Sequence, residues 1–199
     1  MAVVEGSRVL GLAEESSGRN TRAIALVEQA LRSAGLEREH VECIAVGIGP
    51  GSYAGIRSAI ALAQGWQLAC EVRVVGISSA EGMAWRAHSA GFRGDGNVLI
   101  DAQRGEFYRA RCDFRPEEPV LDPLRLISLA DARALSGKLL VSERESLKLF
   151  SGAVLMPADA VTLGLLAARR EDFISADKLE PIYLRSTSFV KAPPPRIIE

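Results

Sequence analysis

The fold of this chain is decided by a glycine-rich segment, Gly47-Ile48-Gly49-Pro50-Gly51-Ser52-Tyr53-Ala54-Gly55-Ile56-Arg57. The apolar run 41–46 before it predicts a strand, and the run 53–70 after it predicts a helix. Alternating glycines between a strand and a helix allow two interpretations, a backbone cradle for an anion or a tight turn with close helix–sheet packing. We therefore predict a candidate nucleotide or phosphate contact at Gly49, Gly51 and Ser52, with the tight turn as an equal alternative.

Three familiar motifs fit this segment poorly. A P-loop requires a lysine followed by serine or threonine, and the segment contains no lysine. A nucleophile elbow requires a glycine two residues to each side of the serine, but Pro50 and Ala54 take those places around Ser52. Residues 49–54 match the glycine part of a dinucleotide fingerprint, yet no acidic residue closes the next predicted strand, 72–75. A nicotinamide-binding module is therefore a weak alternative.

The predicted helix 53–70 has no charged residue after Arg57. A helix that is apolar nearly all round is covered on both sides. One side can face the chain's own sheet, and the other faces a partner subunit or, alternatively, the second half of the chain. We predict a partner interface on this helix and on the preceding helix, 21–34, formed by Ile24, Val27, Leu31, Ile56, Ala59, Ile60, Ala63 and Trp66. An Ala63→Arg substitution should then weaken association.

The composition indicates a globular protein without a strong preference for nucleic acid. The 199 residues are 48% hydrophobic and carry a net charge of -1. Because a basic surplus is missing, we expect any contact with RNA to be indirect, through a partner. Cys43, Cys70 and Cys112 show no paired spacing, and His40 and His88 stand in different elements. We therefore predict no metal ligands, and no run of residues is apolar enough to predict a membrane span.

The order of predicted elements indicates an α/β protein in two units. A hairpin is expected in 2–12, and strand–helix–strand order after it implies a parallel pair of strands. Glycines near residue 92 mark a boundary before a second strand-rich unit. We predict an N-terminal lobe at 1–92, a C-terminal lobe at 93–186 and a proline-rich tail at 187–199.

Three segments together resemble the TsaB/YeaZ family, in the family's order. Residues 49–57 resemble its Gly-Pro-Gly-Ser-Phe-Thr-Gly-Leu-Arg, and residues 100–108 resemble its Asp-Ala-Arg-Arg-Gly-Glu-Val-Tyr. Residues 181–185 resemble its Pro-x-Tyr-Leu-Arg. The resemblance implies an actin-like ATPase fold, in which two similar RNase H-like lobes each hold a mixed sheet flanked by helices.

The resemblance also implies a function. It implies a non-catalytic scaffold or activator subunit that acts with TsaD-like and TsaE-like partners. Together they form threonylcarbamoyladenosine in tRNA beside the anticodon. The unpaired cysteines favour a cytoplasmic protein. We expect a homodimer in isolation and no cofactor on the chain alone, with ATP or ADP at the partner interface. Asp101 and Arg104 are candidate nucleotide or phosphate contacts, although a turn-forming aspartate beside a solvent-facing arginine is the favoured alternative.

The start of the chain departs from the family pattern. Family members open with a strand ending in Asp-Thr-Ser, whereas residues 2–12 match the hairpin that follows that strand. We therefore expect a first lobe without its usual leading strand and with an exposed sheet edge. Two other functions, a small actin-fold ATPase or kinase and a glycoprotease-like peptidase, are alternatives. They are disfavoured because a phosphate loop is missing and Ser52 lacks a recognisable base.

Overall fold

The computed structural model describes residues 1–15 and 23–184. The first half of the chain confirms the predicted hairpin and the strand–loop–helix order around the glycine loop. Its elements are β1 (Ala2–Glu5), β2 (Arg8–Leu12), α1 (Ala23–Ala34), β3 (Cys43–Gly49), α2 (Tyr53–Ala69), β4 (Arg73–Ser78) and α3 (Ser79–Ser89).

The second half contains most of the strands. Its elements are β5 (Asp95–Asp101), β6 (Glu106–Asp113), β7 (Val120–Leu121), β8 (Arg125–Ser128), α4 (Leu129–Arg133), β9 (Lys138–Val141), β10 (Val154–Leu155) and α5 (Ala160–Ala167). Short 3-10 turns span Arg38–His40, Glu145–Lys148 and Ala176–Lys178. The sequence patterns do not reveal β7, α4 or β10, because elements of two to five residues show no clear periodicity.

A six-stranded mixed sheet forms the core of the second half. Its strands follow the order β10-β9-β5-β6-β7, and β8 also pairs with β6. β5 runs parallel to β9 and antiparallel to β6, so both of its edges are hydrogen-bonded. Side chains cover both faces, with Val98 and Ile100 packed on one side and Leu99 and Phe107 on the other. This cover on both faces explains why Val98, Leu99 and Ile100 are apolar in succession.

The first half has two separate strand pairs where the second half has one sheet. β1 pairs with β2 antiparallel and β3 pairs with β4 parallel, and in residues 1–15 and 23–184 no ladder joins the two pairs. Helix α5 packs against both β1 and β3 on one face, while α1 and α2 cover the other face. We call the region between the unpaired edges of β1 and β3 the strand slot. The structure thus contains the unpaired edges that the sequence predicts.

Residues 174–184, which we call the return segment, lie against the first half of the chain. The first residue of the segment forms an antiparallel bridge with Val74 of β4. The backbone N–H of Ala176 donates to Gln67 Oε1 at 2.7 Å, and Leu179 is buried in the core of β3, β4 and α2. The predicted C-terminal lobe therefore includes a segment whose contacts belong to the first half.

Some predictions concern the ends of the chain or its relation to membranes. The start of the helix predicted from residue 21 and the proline-rich tail 187–199 lie outside the described residues. Across the described ranges, no helix is long and apolar enough to cross a membrane.

Candidate functional site

The glycine loop joins the carboxyl end of β3 to the start of α2. Gly49 has a φ of 93°, and a Cβ added there would lie 2.6 Å from Ile56 Cδ1. The positive φ favours glycine at this position, and an added Cβ would displace the end of the Ile56 side chain. Ser52 caps α2, since its hydroxyl accepts a hydrogen bond from the Gly55 N–H at 3.3 Å. These contacts account for the tight-turn interpretation, and phosphate binding by Gly49, Gly51 and Ser52 stays a prediction.

Asp101 and Arg104 lie in the turn between β5 and β6. Asp101 Oδ1 accepts a hydrogen bond from the Gln103 N–H at 2.7 Å, and Gln103 and Arg104 have φ values of 64° and 60°. Aspartate often shapes a turn in this way. Arg104 is exposed. Burial raises the pKa of the nearby Glu143 carboxyl, and the negative charge of Asp101 adds to this effect.

The two candidate groups are not joined by direct contacts. In the described part of the chain, no hydrogen bond or ion pair connects Asp101 or Arg104 to the glycine loop. Helix α3 contacts β3 and β4 on one side and β5 on the other. A single phosphate site built from both groups stays a prediction.

The eight residues predicted to face a partner differ in burial. Four are buried in the chain's own core, namely Leu31, Ile56, Ile60 and Ala63. Three are half-buried, namely Val27, Ala59 and Trp66, and Ile24 is exposed. The four buried side chains cannot touch a partner while the fold is intact. Ala63 is 0% exposed, so an Ala63→Arg substitution would disturb folding and is a poor test of association.

A different set of residues on α2 faces outward. Five exposed residues recur at intervals of three and four and so share one side of the helix: Ala54, Ser58, Ala61, Gly65 and Leu68. We call this set the outer face of α2. Leu68 is 91% exposed, and the neighbouring helix α1 exposes 67% of Ile24. The outer face was not predicted, because an apolar pattern around the whole helix does not show which side meets the sheet.

Two glutamines, Gln64 and Gln67, indicate which side of α2 packs against the rest of the chain. Gln64 Nε2 donates to the Ala176 carbonyl at 3.1 Å, and Gln67 accepts from the Ala176 N–H. Polar side chains in an otherwise apolar helix thus mark the side that binds the return segment, which is distinct from the outer face.

A cluster of Tyr53, Arg57 and Tyr183 lies at the amino end of α2; we call it the aromatic–arginine cluster. The two tyrosine rings stack with centroids 5.6 Å apart, and the Arg57 guanidinium lies 4.3 Å from the Tyr53 ring centroid. Arg57 Nε donates to the Tyr183 hydroxyl at 3.3 Å, and this hydrogen bond raises the pKa of Arg57 above its ordinary value. The contacts of Tyr183 with Tyr53 and Arg57 join the first and third of the resembling segments, and the Ile182 N–H donates to the carbonyl of Ile48, just before the first segment.

Comparisons with known proteins agree on one family. Residues 15–170 match the family model described as TsaD: tRNA N6-adenosine threonylcarbamoyltransferase. The tRNA threonylcarbamoyladenosine biosynthesis protein TsaB of Escherichia coli (strain K12) is 30% identical over 192 residues, covering 83% of this chain and 80% of that protein. The TsaB protein of Haemophilus influenzae is 27% identical over 186 residues, covering 83% and 79%.

A solved structure supports the fold. YeaZ from Pseudomonas aeruginosa superposes with a TM-score of 0.68 at 23% identity, and the match covers 82% of this chain and 84% of that one. This likeness confirms the predicted α/β architecture, with mixed sheets flanked by helices. With the family match over most of its length and a 30% identical relative, the chain belongs to the TsaB/YeaZ family.

Proposed function

We propose that this protein is a non-catalytic scaffold or activator subunit in the formation of threonylcarbamoyladenosine in tRNA beside the anticodon. It acts with TsaD-like and TsaE-like partners in the cytoplasm. The family supports the pathway, because two relatives are named for threonylcarbamoyladenosine biosynthesis in tRNA. The observation that carries the subunit role is the apolar outer face of α2.

The outer face has the properties of a docking surface for another helix. Its small residues, Ala54, Ala61 and Gly65, allow the backbone of a second helix to approach closely. Leu68 supplies apolar area, and burying such a side chain contributes about 1.5–3 kcal/mol. The face contains no charged residue, and charged groups are depleted at the centres of protein interfaces.

A scaffold role also fits the contacts of the polar residues in the glycine loop and the β5–β6 turn. The Ser52 hydroxyl caps α2, and Asp101 holds its own turn. We place the contact with tRNA on the partners, because this chain has a net charge of -1 and so no basic surplus. We place ATP or ADP at the partner interface. Calorimetry with ATP on the isolated chain tests this, and tight binding with turnover would favour the ATPase or kinase alternative.

The docking proposal is tested by Ala61→Arg, which adds a long charged side chain to the middle of the outer face. Ala61 is exposed, so the variant should keep the wild-type melting temperature. We expect at least tenfold weaker co-purification with the TsaD-like subunit and a matching loss of threonylcarbamoylation in the reconstituted reaction. The control is Ala134→Arg at the end of α4, which is also exposed. Wild-type binding and activity of Ala61→Arg would overturn the proposal.

A further inference from the structure

Three arginines lie on one face of the six-stranded sheet in the second half. Arg109 and Arg111 alternate along β6 with Phe107, so the three side chains point to the same face. Arg125 of β8 lies directly opposite Arg109 in the antiparallel ladder, and Ile127 lies opposite Phe107. Phe107 and Ile127 belong to the core that α4 covers, whereas all three arginines are exposed or half-buried. The arginines therefore lie beside that core, within reach of solvent.

Arg111 is neutralised within the chain. Its Nη2 lies 2.8 Å from Asp95 Oδ1 on β5. The next carboxylate on this face is occupied as well, because Arg115 Nε lies 2.8 Å from Asp113 Oδ1. Nη2 of Arg115 also lies 3.4 Å from Asp95 Oδ2. The two aspartates at this end of the sheet are thus bound by two arginines, and neither is left to balance a further positive charge.

Arg109 reaches toward β5 in the same way as Arg111, but it meets an amide instead of a carboxylate. Its Nε donates to Asn97 Oδ1 at 2.9 Å. Asn97 is 4% exposed, and its Nδ2 donates to the Ser136 carbonyl at 2.9 Å, so the amide is held from both ends. A neutral group thus orients the Arg109 guanidinium. In residues 1–15 and 23–184, Arg109 forms no ion pair, and its Nη1 and Nη2 have no hydrogen-bond acceptor.

Arg125 adds a second uncompensated charge. In the described part of the chain its side chain forms neither a hydrogen bond nor an ion pair. Like charges directly opposite each other in an antiparallel pair are destabilising, and Arg125 is directly opposite Arg109. Partial burial also removes some of the water that would otherwise stabilise the Arg109 charge. An anion that binds both guanidinium groups would reduce both costs, so its binding should stabilise the fold.

Two uncompensated positive charges match a doubly charged oxyanion. A phosphate monoester carries a charge of about -1.5 to -2 at pH 7 and presents three strong acceptor oxygens. Guanidinium groups bind such oxygens through pairs of parallel N–H groups. A carboxylate or a phosphodiester supplies only a single charge. A nucleic-acid strand would also bring further phosphates toward the exposed Asp122, which lies beside Arg111.

We propose that Arg109 and Arg125 bind a doubly charged phosphate, either as the free ion or as the end of a phosphorylated molecule, and that Asn97 is a positioning residue for Arg109. Inorganic phosphate and a phosphate monoester share the charge and the oxygens that the two guanidinium groups recognise. The site lies between β6 and β8 in the second half, and none of its residues belongs to the outer face of α2. It therefore goes beyond the proposed function and does not depend on it.

The site is tested by titrating the full chain with inorganic phosphate at constant ionic strength. The Nε–Hε NMR signals of Arg109 and Arg125 should shift and saturate, and the melting temperature should rise with phosphate. Arg125→Gln removes one guanidinium from an exposed position, so the dissociation constant for phosphate should increase about tenfold or more. Unmoved arginine signals, or an unchanged dissociation constant in Arg125→Gln, would overturn the proposal.

A charge reversal separates the site from a nonspecific effect of net charge. Arg125→Glu places a carboxylate opposite Arg109, so phosphate binding should be lost while the melting temperature without phosphate rises above that of the wild type. The control is Lys138→Glu on β9, which is also exposed but shares its sheet face with Leu140, a residue of the core on the opposite side. This control should leave phosphate binding unchanged. An equal loss in both variants would mean that only net charge matters and would contradict the site.

Other anions identify the class of ligand. Phenyl phosphate that binds as tightly as inorganic phosphate shows that the site accepts phosphorylated molecules, and binding of the free ion alone assigns it to inorganic phosphate; either result supports the proposal. Acetate and dimethyl phosphate carry one charge and should bind more weakly. Equal affinity for acetate would assign the site to carboxylates, and equal affinity for dimethyl phosphate to a nucleic-acid backbone; each would overturn the proposal. Docking on α2 is judged separately by Ala61→Arg, so failure at this site leaves it intact.

Discussion

Strands β3 and β5 are both apolar, yet the structure covers them to different extents. Every residue of β5 from Gly96 to Ile100 is buried, whereas only Val46 and Gly49 are buried in β3. β5 has hydrogen-bonded neighbours on both edges and β3 has a neighbour on one. An apolar sequence alone therefore does not determine how deeply a strand is buried. The number of neighbouring strands and helices that cover it also determines its burial.

Helix α5, which packs beside the strand slot, is also apolar but incompletely buried. Its residues are apolar all along the helix, but only Leu166 and Ala167 are buried. The helix rests on β1 and β3, each of which has one edge without a ladder partner in residues 1–15 and 23–184. We therefore expect the first half to open locally at a lower free energy than the second half.

The largest expected effect comes from truncating a buried side chain in the second half, compared with a half-buried one in the first half. Phe107 is 2% exposed and packs edge-to-face on Phe150 with ring centroids 5.1 Å apart. Phe107→Ala should lower the free energy of unfolding by about 3–5 kcal/mol. Val4→Ala, beside the strand slot, should lower it by about 1 kcal/mol, because Val4 is only half-buried. Urea denaturation of both variants checks this, and equal losses would remove the difference between the halves.

A strand supplied to the slot should have the next largest effect. We would fuse a turn and six apolar residues before Met1, so that the added strand can pair with β1 and β3. Burial of two or three further side chains should raise the melting temperature by about 4 °C or more. Amide exchange should slow in β1 and β3 and stay unchanged in β5. The same extension with two prolines cannot complete the ladder and is the control; equal stabilisation by both extensions would mean that the slot is not filled.

The smallest expected effect is the pH dependence of Asp113 in the second half. Arg115 donates to both of its oxygens at 2.8 Å and lowers the pKa of Asp113 to about 2. Because this pKa is depressed on folding, the stabilisation is fully present above about pH 4 and is lost as the pH falls toward 2. NMR titration should show the low pKa, and Arg115→Gln should return it to the ordinary range. A normal pKa in the wild-type chain would contradict the prediction.

Long, periodic elements could be predicted from the sequence, whereas contacts between distant segments could not. The hairpin, the glycine loop and α2 all follow from local patterns in residues 2–69. The inward side of α2 depends on the return segment, more than a hundred residues later in the chain. For that reason Ile56, Ile60 and Ala63 were assigned to a partner while they belong to the core. Tyr53 and Arg57 were visible in the loop motif, but their contact with Tyr183 exists only in the folded chain.

The return segment also determines when the first half can finish folding during synthesis. Leu179 and Ala176 complete the core that contains Val46, Ile60 and Val74. A ribosome synthesises the chain from its amino end. More than a hundred further residues must therefore be added before the core around Val46, Ile60 and Val74 is complete. The six-stranded sheet needs residues only up to Leu155 and can form first. The half that is translated first is thus completed last, and its apolar surfaces are available to chaperones throughout that interval.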